Sequence, residues 1–378
     1  MTVSGKGVIM NKRKAGNTDM DLSLLGFGGF HLLEVSQKDC GILLDTYLDS
    51  GGNYIETAAG YGNGGSEIRI GNAVSGKRNS YFLASKCHER EYSKASESIN
   101  NSLKNLKTDY LDILFIHALQ TAEEADIVLS DDGAVKAALE AKESGKIRYI
   151  GVSGHGRPDG LLSVCRRFDF DVCMTMFNYY DRFNYPGIEQ TLLPLLIKKN
   201  TAVFGMKALA DGYLYNSVSQ GIRYSLSLPV STLVMGMNRL DHLEMNIKAV
   251  NEFRPFELKE YNALFSTARE LGSYVCRLCG KCRTEDFDPQ EYFLLEGLFD
   301  RQMESFSPEE NPADFALRER LKHWFGQAEK ASEEYRELVP ISVDHDYSDL
   351  NALCPYSIDI DRKLKIIHSK LSGAEYIY

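Results

Sequence analysis

The chain is short of positive charge. Its 43 Lys and Arg stand against 53 Asp and Glu, a formal net charge of −10 over 378 residues. A broad nucleic-acid footprint needs the opposite balance, so that class is excluded, though a local anion site is not. Long apolar runs are also missing, and no stretch reaches the ~18 residues of a membrane span. The opening residues, MTVSGKGVIMNKRK, lack the apolar core of a secretory signal. Together these absences give the expectation of a soluble, cytoplasmic protein with no membrane or nucleic-acid partner. No internal repeat is present. Cysteine is not scarce, at eight residues, but without a secretory signal a disulfide framework is not expected. Cys40, Cys87, Cys165 and Cys173 sit among apolar residues and read as buried thiols. Apolar residues make up 43% of the chain, enough for a large core and more than one domain.

From about residue 20 to 250, β-prone and helix-prone stretches alternate. The strand candidates are 22–28, 53–57, 80–86, 111–117, 147–153, 170–177, 201–207 and 231–236. Each gap holds a helical pattern, such as QKDCGILLDTYLDSGG, which ends on a Gly-Gly stop. Eight such units favour parallel strands with crossovers, and a (β/α)8 TIM barrel of typically ~250 residues. An open doubly wound sheet is the alternative architecture. The stretch before the first strand reads as a hairpin closing the barrel floor. Beyond about residue 270 the character changes, giving two expected domains: a barrel over 1–270 and a small, mainly helical Cys-rich region over 271–378. Within the latter, Leu317, Leu321, Trp324, Ala328, Ala331, Tyr335 and Leu338 form one apolar stripe on a helix.

In such a barrel the chemistry sits on the C-terminal ends of the strands. Strand two ends at Glu56, with Tyr61 in its loop; strand three ends at Lys86; strand four ends at His117. A carboxylate, a phenol, an ammonium and an imidazole thus converge on one rim. An ammonium beside a phenol is expected to pull its pKa down from about 10, and a carboxylate to hold the ammonium in place. Tyr61 could then give a proton to a carbonyl oxygen that His117 orients. A Rossmann reading of Gly60, Gly62 and Gly65 as G-x-G-x-x-G, with Ser66 as a helix cap, is weaker. It does not explain Lys86 and His117 on the next two strands.

At these residues the chain resembles the aldo-keto reductase family. The motifs are GNYIETAAGYG, FLASK, DYLDILFIH, GKIRYIGVSGHG and MGMNRLDHLEMNIKA, in that order over roughly residues 8–255. The resemblance implies a barrel that binds NADP(H), or NAD(H), at its C-terminal rim and reduces a small-molecule carbonyl. It implies Tyr61 as the acid–base residue, Lys86 as its tuner and His117 as the carbonyl's orienter. Glu56 stands where the family pattern has Asp; one extra methylene means its contact with Lys86 must be re-aimed. Ser153 fits the residue that meets the nicotinamide carboxamide, Gly154 replaces an Asn, and Met174 replaces a Gln. Met206 and Lys207 occupy the ring-packing and adjacent positions. Gly236, Met237, Asn238, Arg239 and Asn246 resemble the adenosine-phosphate loop, with Arg239 as candidate for a 2′-phosphate. Gly29 and Phe30 would line the pocket.

Cys276, Cys279 and Cys282 are spaced C-x2-C-x2-C, and Cys354-Pro355 follows the long stretch 283–353. Structural zinc uses separated C-x2-C pairs, whereas this pattern looks like ferredoxin ligation of a [4Fe–4S] cluster. The chain also resembles aldo-keto reductases with a C-terminal ferredoxin-like tail, which implies all four cysteines as ligands. Two functions are thus in view: an NAD(P)H-dependent carbonyl reductase, and an iron–sulfur electron-transfer or redox-sensing protein on an altered barrel, with an outside redox protein as partner. A lyase or isomerase without a redox cofactor is a third. Tyr179, Tyr180, Phe183 and Tyr185 suggest an aromatic pocket wall.

Overall fold

The structure is a computed structural model that describes residues 10–301 and 328–374. It divides into two compact units, one made of residues up to 178 with 187–255, the other of 179–186, 256–301 and 328–374.

The first unit is a closed barrel of eight parallel strands. A two-stranded antiparallel ribbon, β1 (Lys12–Lys14) and β2 (Asp21–Ser23), precedes it. The barrel strands are β3 (Leu25–Gly28), β4 (Tyr54–Glu56), β5 (Phe82–Cys87), β6 (Leu111–Ile116), β7 (Ile147–Ser153), β8 (Val172–Met176), β9 (Ala202–Met206) and β10 (Thr232–Gly236). They are hydrogen-bonded in sequence order, and β10 closes on β3. Each lies within one or two residues of its sequence candidate, except the first, where 22–28 divides between the ribbon and the barrel. The strands are buried almost throughout, as parallel strands under helices must be. Inside, Tyr54 packs edge-on to Phe204 at 5.2 Å, and Phe115 does so at 6.2 Å. Ala15 and Met20 from the ribbon join this interior cluster, consistent with the expected floor.

The crossover helices follow their local signals. Ser36 caps the helix Gln37–Asp49 by accepting the Asp39 N–H. The gap after β6 holds one helix more than a single crossover needs: Ala122–Val128, begun by a Thr121–Glu124 capping box, precedes Ala134–Glu143.

The second unit is mainly helical: Leu258–Thr267, Pro289–Asp300, Ala328–Glu337 and Ile360–Ser372. Ala331 and Tyr335 of the apolar stripe are buried; Leu317, Leu321 and Trp324 lie outside the described residues. Arg301 and Asp181, 1% and 2% exposed, form a two-pronged ion pair at 2.5 and 3.0 Å. Tyr179 donates to Glu270 at 3.0 Å and Phe183 meets Phe265 at 5.2 Å, so these aromatics pack within the second unit. No described helix is long and apolar enough to cross a membrane.

Candidate active site

Register brings the four strand-end residues together. Glu56 is the last residue of β4 and pairs with Ala84 of β5, two residues before Lys86. His117 follows β6, and its N–H donates to the Cys87 carbonyl at 2.8 Å. The Lys86 ammonium meets three oxygen groups. One is the Glu56 carboxylate, so the longer acid reaches its partner. The others are the Thr57 carbonyl and the Tyr61 hydroxyl oxygen, both at 3.0 Å. The Tyr61 oxygen thus accepts from a cation and keeps its own proton to give. Phe30 packs edge-on to the Tyr61 ring at 4.9 Å, and His117 does so at 6.0 Å.

The loop that carries His117 is fastened from below. Arg90 donates to the His117 and Ala118 carbonyls at 2.8 and 3.1 Å and pairs with Glu124. Among the described residues, the buried Nδ1 of His117 has no hydrogen-bond partner. Two further imidazoles, His88 and His155, lie 5.8 and 6.4 Å from it between ring centroids. Sequence reasoning missed both; the signals were KCH directly after Lys86 and GHG after Ser153.

Burial dominates the electrostatics. It pushes the Tyr61 pKa up, the reverse of the expected lowering by Lys86. It lowers Lys86 well below the usual lysine range, and the Glu56 carboxylate lies against the ammonium. Burial, then Lys86 and His155, hold His117 well below 6.5, so it is a neutral imidazole at physiological pH. His155 is lowered by burial and by Lys207.

Of the positions named for a cofactor, Gly29, Ser153, Met206 and Gly236 lie at or just after the C-terminal ends of barrel strands. Gly29 donates its N–H to the Glu56 carbonyl at 2.7 Å, and its carbonyl accepts from Ser66 at 2.8 Å. Ser66 is therefore inside the helix Gly65–Val74, bonded to Gly29, and is not its cap; Gly64 is. Ser153 is buried, and its Oγ accepts the Ala118 N–H at 3.1 Å, leaving its own proton to donate. A Cβ on Gly154 would lie 2.8 Å from the Leu119 carbonyl oxygen, so packing demands glycine there. Met174 is fully buried in the barrel interior and carries no amide-pairing group. Met206 is 8% exposed at the end of β9. The loop behind it holds Lys207 and Asp211 as a nearly buried pair at 3.1 Å. After β10, Asn238 donates to Glu34 at 2.7 Å. Arg239 binds Asp241 at 2.9 and 2.8 Å and holds its carboxyl down to about 2. Gly236 lies against His31, and Asn246 is buried.

A model of the aldo/keto reductase family matches residues 24–226. The chain belongs to that family. Like other aldo/keto reductases it is an NAD(P)H-dependent oxidoreductase. The Bacillus subtilis protein named Uncharacterized oxidoreductase YqkF is 28% identical over 312 residues, 69% of this chain and 97% of its own. Methylglyoxal reductase YeaE of Escherichia coli is 28% identical over 227 residues, 57% of this chain and 77% of its own. Among solved structures, aldo-keto reductase AKR11C1 from Bacillus halodurans in its holo form superposes with a TM-score of 0.59 at 25% identity. It covers 67% of this chain and 94% of its own.

In the second unit, Cys276, Cys279, Cys282 and Cys354 line one small cavity, with Phe293, Tyr356, Ile358 and Ile360 among its walls. Leu278 and Gly280 take left-handed backbone angles, φ 51° and 75°, that curl the chain around it. The Leu278 N–H points at the Cys276 Sγ at 3.3 Å. Arg277 also lines it, 4.8 Å from the Tyr356 ring centre, and donates to the carbonyls of Phe265, Leu271 and Gly272 at 3.0, 3.2 and 2.7 Å. Among the described residues, no group of three or more His, Cys, Asp or Glu is placed to hold a single metal ion.

Proposed function

We propose that the barrel reduces an aldehyde or ketone to an alcohol, with Tyr61 as proton donor. The observation that carries this reading is the 3.0 Å contact from the Lys86 ammonium to the Tyr61 oxygen, with His117 alongside. As proton leaves Tyr61, the phenolate forms against a cation already in place, so little reorganisation is needed. Glu56 keeps that cation charged, and the Thr57 carbonyl fixes its position. A neutral His117 offers one N–H to the same carbonyl oxygen and sets the face it presents. Phe30 walls the Tyr61 ring and excludes water.

Ser153 fits a nicotinamide carboxamide, because its hydroxyl keeps a proton to donate; Gly154 and Met174 supply no such contact. The nicotinamide, when bound, supplies the hydride. Lys207, Gly236, Asn238, Arg239 and Asn246 are the residues we assign to the rest of the dinucleotide, NADP(H) or NAD(H), with Gly29, Phe30 and Met206 around the nicotinamide. The test is nicotinamide consumption with a panel of small aldehydes and ketones, methylglyoxal included. The wild type should turn over at least one, and Lys86→Met should lose about 10²-fold or more in kcat. No turnover with any member, at full cofactor occupancy, would overturn the reading.

For the second unit we propose a [4Fe–4S] cluster on Cys276, Cys279, Cys282 and Cys354. The shared cavity and the Leu278 N–H toward sulfur support it. A four-iron cube spreads its thiolates further apart than one ion does, so cysteines too dispersed for a single metal ion still suit it. Its proposed role is structural or docking, with electron exchange with an outside redox protein as the second reading. Anaerobically purified protein should contain about four irons and four sulfides per chain. Cys354→Ser should lower that content; unchanged content removes Cys354 from the ligand set.

A further inference from the structure

The loops after the last two strands of a (β/α)8 barrel are its usual phosphate site. Here each of those loops offers one cation, and each cation already has a carboxylate. Lys207 holds Asp211 at 3.1 and 3.2 Å after β9. Arg239 holds Asp241 through both arms of its guanidinium after β10. A third carboxylate, Glu34, reaches into the same loop by accepting from Asn238 at 2.7 Å, and it lies 3.1 Å from His31 Nδ1.

We propose that this site does not select the cofactor's 2′-phosphate, so that NADH and NADPH bind comparably, and that Asp241 is the specificity-determining residue. The inference rests on the dinucleotide reading above. A 2′-phosphate brings close to two negative charges. To reach Arg239 it must displace Asp241, whose carboxylate stays two residues away and repels it. A ribose 2′-hydroxyl meets no such opposition, since carboxylates such as Asp241 and Glu34 accept hydrogen bonds from hydroxyls. Neutralising Asp241 releases Arg239, whose planar fork suits a phosphate.

The experiment is titration calorimetry of the full chain with NADH and NADPH, and with 5′-AMP and adenosine 2′,5′-bisphosphate as fragments. Wild-type dissociation constants for NADH and NADPH should lie within about tenfold of each other. Asp241→Asn should shift the preference toward NADPH over NADH, and toward the bisphosphate over 5′-AMP, by about tenfold. Adding Arg239→Ala to that variant should cancel the gain. A wild type that prefers NADPH by more than about tenfold, or an Asp241→Asn variant with unaltered preference, overturns the inference while leaving the dinucleotide site intact. Failure to bind either dinucleotide overturns both. Melting temperatures of the variants separate an altered site from an altered fold.

Discussion

Replacing Glu56 with Gln removes one negative charge from the barrel rim and keeps the side chain's shape. Lys86 and Glu56 are 2% and 3% exposed, so the ammonium is left with neither counter-ion nor water. Among the described residues, the Thr57 carbonyl and the Tyr61 oxygen, each at 3.0 Å, still face it, with the new Gln amide oxygen, and all three are uncharged. Breaking a buried pair from one side costs about 3–5 kcal/mol. A ceiling has an independent origin: Lys86 can escape by losing its proton, and deprotonating a lysine of pKa about 10.4 at pH 7 costs about 4.6 kcal/mol. The expected loss of about 3–4.6 kcal/mol lowers the barrel's melting temperature by about 6–18 °C. The loss depends on pH in a fixed direction. Burial already lowers the Lys86 pKa, and removing Glu56 carries it further below the unfolded value. The unfolded chain then binds more protons than the folded one, so stability rises with pH and the gap to wild type narrows from about pH 7 to about pH 10. Thermal unfolding across that range is the assay. A melting temperature within about 1 °C of wild type at pH 7, or a gap that widens with pH, would refute the buried pair.

Carbonyl reduction should show no alkaline limb from Tyr61 up to about pH 10, because burial keeps the phenol protonated, whereas alcohol oxidation should keep rising over the same range. His117 should give no acid limb above about pH 6, since its pKa is held well below the ordinary value; pH profiles of kcat/KM in both directions check the two statements. Gly154→Asn, which restores the residue usual in the family, should destabilise the barrel by about 1–3 kcal/mol, because its Cβ would press on the Leu119 carbonyl; denaturant unfolding measures it. Arg90→Ala frees the loop behind His117 and should raise KM for the carbonyl more than it lowers kcat, seen in steady-state kinetics.

The barrel was legible because its strands are short apolar blocks between polar helices, a pattern set by burial on both faces. The convergence of Glu56, Tyr61, Lys86 and His117 was legible for the same reason, since strand ends of one barrel share one rim. The helix Ala122–Val128 was not: only Ala125 and Val128 are buried in it, too few to mark a period, although Thr121 and Glu124 spelled out its capping box. The direction of the Tyr61 shift was also hidden. A sequence shows that a lysine is near, but not that water is absent, and absence of water decides the sign. Gly154 read as a lost amide contact; its reason is the Leu119 carbonyl, on another crossover. The Arg239–Asp241 clamp was written in the sequence as R-x-D, but whether such a pair closes depends on the backbone around it.

In the proposed reaction Tyr61 gives its proton to a carbonyl beside Lys86. Single-turnover reduction of a small aldehyde by the cofactor-loaded enzyme, followed by nicotinamide absorbance, addresses this directly. Tyr61→Phe should bind the cofactor as wild type does and reduce the aldehyde about 10²–10⁴-fold more slowly. Equal rates in the two proteins would contradict the central claim.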